Sequence, residues 1–121
     1  MKTPEEIRAR ILDVVTRNGG HLASSLGAVE IALALHAVFD AETDRIVWDV
    51  GHQAYAWKIL TGRDARFETL RQLDGLAPFP NPAESAADAA VAGHAGSALS
   101  VALGFAAARD RRGTGEQVVA V

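Results

Sequence analysis

The sequence predicts an α/β domain, a parallel sheet with flanking helices. Two short β-rich runs, residues 46–50 and 118–121, are apolar on both faces, as buried parallel strands are. Helical patterns precede the first run and fill much of the interval before the second, the element order of a parallel α/β layer. Glycines and histidines then fall at a strand end and at helix starts, where open α/β proteins bind ligands.

Each element has a local reason. Thr3-Pro4-Glu5-Glu6 reads as a helix start, with Thr3 as cap, Pro4 in the first turn and Glu6 completing a capping box. Ile7, Ile11, Val14 and Val15 follow at helical spacing, and Asn18-Gly19 supplies a stop, giving a helix over about 4–17. Ser24 or Ser25 is expected to cap a second helix. Its apolar residues from Leu26 to Phe39 cover nearly every face, so burial is expected. Further helices are expected near 54–61 and 64–73, followed by a long irregular stretch from 74 to 92 that contains Pro78, Pro80 and Pro82. Long ordered loops are commonly functional, and this one leads directly into Gly93-His94-Ala95-Gly96-Ser97. A last helix, over about 97–111, carries Ala98, Val101, Ala102, Phe105 and Ala106 as a stripe of small and apolar residues suited to packing on a sheet.

Composition narrows the class. The 121 residues suffice for one modest domain, 49% hydrophobic and 22% charged, which disfavours disorder. Twelve Lys and Arg against 15 Asp and Glu leave a net charge of -3, so no general attraction to nucleic acid or to an anionic membrane is expected. The chain lacks cysteine, which removes disulfides and thiolate chemistry and is compatible with a reducing, cytoplasmic location. No apolar run approaches the ~18 residues of a spanning helix.

The chemistry-bearing residues are few. A Gly-rich helix start presents unpaired N–H groups and a partial positive charge, so Gly93 to Ser97 is either a phosphate site or a tight turn. Its glycine spacing is neither that of a dinucleotide fingerprint nor that of a Walker loop. His21, opening the second helix, and His52, closing the first strand, can exchange protons near neutrality or bond a ligand oxygen, or each can be a satisfied structural histidine. Their glycine neighbours favour function. His36 reads as a core or partner-facing residue, and in His94 the backbone matters more than the ring. A zinc site from His21, His52 and His94 lacks the local spacing of zinc motifs. Asp49 could orient His52 or accept turn N–H groups, the latter being favoured. Trp48, Tyr55 and Trp57 read as packing residues, and Lys58, Arg63 and Arg66 as solvated helix-surface cations.

Gly19-Gly20-His21-Leu22-Ala23-Ser24-Ser25-Leu26-Gly27, Trp48-Asp49-Val50-Gly51-His52-Gln53-Ala54-Tyr55, Lys58-Ile59-Leu60-Thr61-Gly62-Arg63 and Gly93-His94-Ala95, in this order, resemble the N-terminal region of the 1-deoxy-D-xylulose-5-phosphate synthase family. The resemblance runs from about Ile7 to Val121, and HQAY followed by KILTGR favours this family over transketolase proper. It implies part of a transketolase-like thiamine-diphosphate-binding domain, with magnesium, in a homodimeric enzyme. That enzyme joins pyruvate to glyceraldehyde 3-phosphate with loss of carbon dioxide, feeding isoprenoid, thiamine and pyridoxal phosphate synthesis. It further implies cofactor contacts at His52, Gly93, His94 and Ala95, a less direct diphosphate contact at Ser24, and a catalytic part in substrate binding or proton transfer for His21. The family's Gly-Asp-Gly magnesium motif would begin just after Val121, so residues 1–121 are expected to be an N-terminal portion, without metal ligands and inactive alone. The alternatives are a subunit of a split transketolase-like enzyme, or a binding or interaction module. Gly96 stands where family members carry Ser or Thr, a change expected to loosen the last helix's cap.

Overall fold

The computed structural model describes residues 2–121. Helix α1 (Pro4–Asn18) starts as its sequence dictates: the Glu6 N–H donates to Thr3 Oγ1 at 3.2 Å and the Thr3 N–H donates to Glu6 Oε2 at 2.8 Å. These reciprocal bonds satisfy amides that the helix itself cannot. Ile7, Ile11, Val14 and Val15 form its buried stripe.

The expected second helix is two helices. α2 (Leu22–Gly27) and α3 (Val29–Val38) are divided at Ala28, which leaves helical geometry at φ -100° and ψ 5°. Neither Ser24 nor Ser25 is a cap. Both lie inside α2, whose N-cap position is His21, and no side chain bonds the free amides there. The expected all-round burial of this segment is also corrected. Val29 and Ala32 are buried, whereas Ile31 and Val38 are exposed, because α1 and α4 cover only one side of α3.

Strands β1 (Arg45–Val47) and β2 (Val118–Ala120) pair in parallel, with Arg45 opposite Val118, Ile46 opposite Val119 and Val47 opposite Ala120. Alternation sends successive side chains of the first strand to opposite layers. Ile46 and Trp48 enter the main core with α1, α3 and α4 (Tyr55–Lys58), while Val47 packs against Ala98 and Ala102 of α5 (Ala98–Arg112). The observed architecture is therefore helix-rich, with a two-stranded parallel sheet between helical layers, compatible with the expected α/β class.

The segment after α4 is shorter and less regular than its pattern suggests. A π-type turn (Ile59–Arg63) is broken at Thr61 and at Gly62, where φ is +89°, and a 3-10 segment (Asp64–Thr69) follows. Arg71 and Asp74 adopt positive φ, so the helix expected to reach residue 73 stops early. Residues 70–97 then form the long connection, which extends at both ends beyond the expected 74–92.

That connection is fastened by charge. Lys58 and Arg63, expected at the surface, are buried. Lys58 Nζ donates to Glu84 Oε2, and the Arg63 guanidinium makes two bonds to the Asp88 carboxylate, the longer at 2.8 Å. The same carboxylates hold the loop backbone: Glu84 accepts the Ala77 N–H and Asp88 the Asn81 N–H, each at 2.7 Å. Buried cations are tolerable only with such partners, and spacing along one helix cannot reveal partners more than twenty residues away. Arg66 is exposed, as expected.

Candidate active site

β1 runs out at Trp48-Asp49, and the chain reverses through Val50, Gly51 and His52. Val50 takes φ 44° and ψ 79°, a left-handed conformation rare for a β-branched residue and held here by the contacts on either side. Gly51 is enclosed: an added Cβ would strike Pro80 Cδ and lie 2.6 Å from the Ala92 carbonyl oxygen. Its N–H donates to that carbonyl at 2.7 Å, tying the strand end to the segment that enters Gly93-His94-Ala95.

His52 lies in a single 3-10 turn (Gly51–Gln53). Its carbonyl accepts from Ser25 Oγ at 2.5 Å and more loosely from Ser24 Oγ at 3.4 Å, which is what these serines do in place of capping α2. Its ring stacks on that of His21, with centroids 3.5 Å apart and planes inclined by 8°. Burial is the first cause that pushes the His52 pKa below its ordinary value, followed by positive charge on His21, Arg71 and His94. His52 is thus a neutral imidazole near pH 7, able to donate through one nitrogen and accept through the other.

His21 is positioned from behind. Its N–H donates to the Tyr55 hydroxyl at 3.4 Å, and Gly20, at φ +145°, leaves room for that hydroxyl, which would lie 2.9 Å from an added Cβ. The Tyr55 ring is fully buried edge-on to Phe67, and burial raises its pKa. Tyr55 is therefore more than the packing residue its sequence suggested. His21 Nδ1 is buried without a hydrogen-bond partner.

The Gly93 to Ala95 turn completes the site. Gly93 is half-buried, His94 and Ala95 are exposed, and a Cβ added to Gly93 would meet nothing within 4 Å. Among the described residues, the N–H groups of Gly93, His94 and Ala95 have no acceptor. By contrast, the two amides just ahead of α5 are occupied: Asp49 accepts the Gly96 N–H at 2.8 and 3.0 Å and the Ser97 N–H at 3.2 Å. The free donors accordingly lie upstream of the helix start. The N-cap residue Ser97 makes no side-chain cap bond, and Asp49, just past the end of β1, holds the Gly96 and Ser97 amides; these bonds, led by that from Gly96, hold the Asp49 carboxyl below the usual range.

The structure thus brings His21, His52 and Ser24 together and ties Gly93, His94 and Ala95 to them through Gly51 and Asp49. His36 lies apart, edge-on to Trp57 at 6.2 Å. Arg71 was not singled out from the sequence. It is an exposed residue whose charge reaches His52 and Tyr55, placed by a left-handed backbone with no local sequence signal. A concavity of about 490 Å³ lies at the opposite ends of the strands, lined by residues including Asp44, Arg45, Arg112 and Glu116, and has no part in this cluster.

A two-stranded parallel sheet between helical layers is compatible with the α/β class, and the paired imidazoles and free backbone donors beyond the carboxyl end of β1 make that end the candidate ligand site. The particular family follows from comparison. The chain belongs to the 1-deoxy-D-xylulose-5-phosphate synthase family, whose description matches residues 1–121. It is 60% identical over 116 residues to 1-deoxy-D-xylulose-5-phosphate synthase 1 of Geobacter metallireducens, covering 96% of this chain and 19% of that protein. Identity is 58% over 116 residues to the synthase of Syntrophotalea carbinolica, covering 96% of this chain and 18% of the relative. It is 54% over 127 residues to a probable chloroplastic synthase 2 of Oryza sativa subsp. japonica, covering 100% and 18%. The chain spans about a fifth of the length of these relatives.

Proposed function

We propose that this segment forms part of the transketolase-like, thiamine-diphosphate-binding domain of a cytoplasmic, homodimeric 1-deoxy-D-xylulose-5-phosphate synthase. That enzyme condenses pyruvate with glyceraldehyde 3-phosphate with loss of carbon dioxide. The observation that carries the proposal is the convergence of stacked His21 and His52 with three free N–H groups at Gly93, His94 and Ala95, in a chain of this family.

The residues fit the cofactor's chemistry. Adjacent free amides beside a glycine with open space suit a diphosphate, which needs several donors and close backbone approach. Ser24, exposed and reaching toward the His52 carbonyl, adds a hydroxyl at the rim. When bound, thiamine diphosphate supplies the nucleophilic carbon and the electron sink that decarboxylation of a keto acid requires. The protein's part is binding and proton handling. His52, neutral near pH 7, hydrogen-bonds the cofactor, and the imidazole of His21, stacked on it, exchanges a proton with a substrate oxygen. Among the described residues, no three His, Cys, Asp or Glu side chains are grouped to hold a metal ion. These residues do not by themselves fit a magnesium site, and the metal's ligands belong to other parts of the proposed synthase.

A segment exchange tests the proposal. Residues 1–121 replace the matching segment of the Geobacter metallireducens relative, and carbon dioxide release from pyruvate with glyceraldehyde 3-phosphate is followed. Activity dependent on thiamine diphosphate is expected, with loss of most of it on His21→Ala. A folded chimera that binds no thiamine diphosphate overturns the proposal.

A further inference from the structure

We infer that Asp49 is a positioning residue that fixes the Gly93-His94-Ala95 turn in register with His52. The inference rests on the reading above for the turn's purpose, and on geometry for the clamp itself.

The turn between β1 and His52 grips residues 92–97 at both ends. On one side the Gly51 N–H donates to the Ala92 carbonyl at 2.7 Å. On the other the Asp49 carboxylate accepts the Gly96 N–H with both oxygens, at 2.8 and 3.0 Å, and the Ser97 N–H at 3.2 Å. Between the two grips lie only Gly93, His94 and Ala95, the residues whose N–H groups have no acceptor among the described residues. Anchoring both ends of a three-residue turn holds its amides in one arrangement before a ligand arrives, so less ordering entropy is lost on binding.

Three further features make the clamp specific. Gly96 has φ +88°, a conformation that L side chains rarely adopt and that delivers its N–H to the carboxylate. The Asp49 backbone is itself held, its carbonyl accepting from Gln53 Nε2 at 2.7 Å and its N–H donating to the Val121 carbonyl at 2.8 Å. Val50, between the two gripping residues, keeps its left-handed conformation, so the carboxylate of Asp49 and the N–H of Gly51 both face the 92–97 segment. Asp49 therefore acts on the site through the turn, without contact to the imidazoles.

Two measurements test it, and they separate this inference from the functional one. In the isotope-labelled 121-residue chain, Asp49→Ala is expected to speed hydrogen exchange of the Gly96 and Ser97 amides by roughly tenfold or more, the scale of bonds to a charged acceptor. Unchanged exchange at both amides overturns the clamp. In the segment-exchanged synthase, Asp49→Ala is expected to raise KM for thiamine diphosphate by roughly tenfold, with a much smaller effect on kcat. Asp49→Asn, whose amide oxygen can still accept both N–H groups, should restore most of that loss and guards against a misfolded alanine variant. A lowered melting midpoint with KM unchanged identifies Asp49 as a helix cap only and overturns the inference. Should the unmutated chimera bind no thiamine diphosphate, the functional proposal fails while the amide exchange still decides the clamp.

Discussion

The imidazole of His21 lies flat on that of His52, 3.5 Å between centroids, although thirty residues of chain lie between them. Each ring thereby removes water from the other, and a proton on one disfavours a proton on the second. His52 is the ring whose pKa is lowered. Its neutral form favours folding: that contribution is fully present above the ordinary imidazole pKa of about 6.5 and is lost as pH falls below it, since the unfolded chain binds the proton first. Nuclear magnetic resonance titration should place His52 below the ordinary range, with His21→Ala moving it upward. Urea stability should fall less between about pH 7.5 and about pH 5.5 in His52→Gln than in the unmutated chain.

Gly51 and Gly20 should both resist alanine, for different reasons. At Gly51 the new methyl meets Pro80 and the Ala92 carbonyl, which are not free to move without dislodging the Gly93 to Ala95 turn. At Gly20 it meets the Tyr55 hydroxyl in a positive-φ backbone. Losses of about 1 to 3 kcal/mol are expected at Gly20, and at least as much at Gly51, by chemical denaturation. Gly93→Ala, with open space around it, should stay within about 0.5 kcal/mol.

Arg63 and Asp88 form a buried bidentate pair, joined to Lys58 and Glu84. Arg63→Met strands the Asp88 carboxylate and should cost about 3 to 5 kcal/mol. Asp88→Asn added to that variant should cost far less than the sum of the single changes, because no unpaired charge then remains. A double-mutant cycle measured in urea checks the coupling.

Leu99 and Leu103, one turn apart on α5, are 78% and 71% exposed, and Val38 on α3 is 75% exposed. Apolar faces of this kind favour association. Leu99→Ser with Leu103→Ser should therefore leave the unfolding midpoint nearly unchanged while reducing self-association of the 121-residue chain, as read by light scattering. An equally associated double variant would count against these leucines as the cause.

The boundaries of α1 and α5 and the position of β2 were legible because their signals are local, whereas β1 covers Arg45–Val47 and not the expected 46–50, the last three of those residues having left the sheet to form the turn before His52. Thr3 and Glu6 are three residues apart, the apolar stripe of α1 repeats within each turn, and the β-rich runs are continuous. The candidate site was legible in outline, since glycines beside histidines mark tight turns near helix and strand ends. The division of α2 from α3 falls just after Gly27, and the continuous apolar pattern from Leu26 to Phe39 masked that single breaker. Lys58 and Arg63 misled for a different reason, because burial of a cation depends on carboxylates contributed by another segment.

By itself, then, the sequence determined the main elements, in an order compatible with the α/β class, and which histidines and glycines are candidates for chemistry, all consequences of neighbours within a few residues. Only the tertiary structure decided that His21 stacks on His52, that Tyr55 supports His21 and that Asp49 clamps the turn ahead of α5. Those arrangements join residues separated by thirty or more positions, and their geometry exists only once β1 is placed between the helical layers.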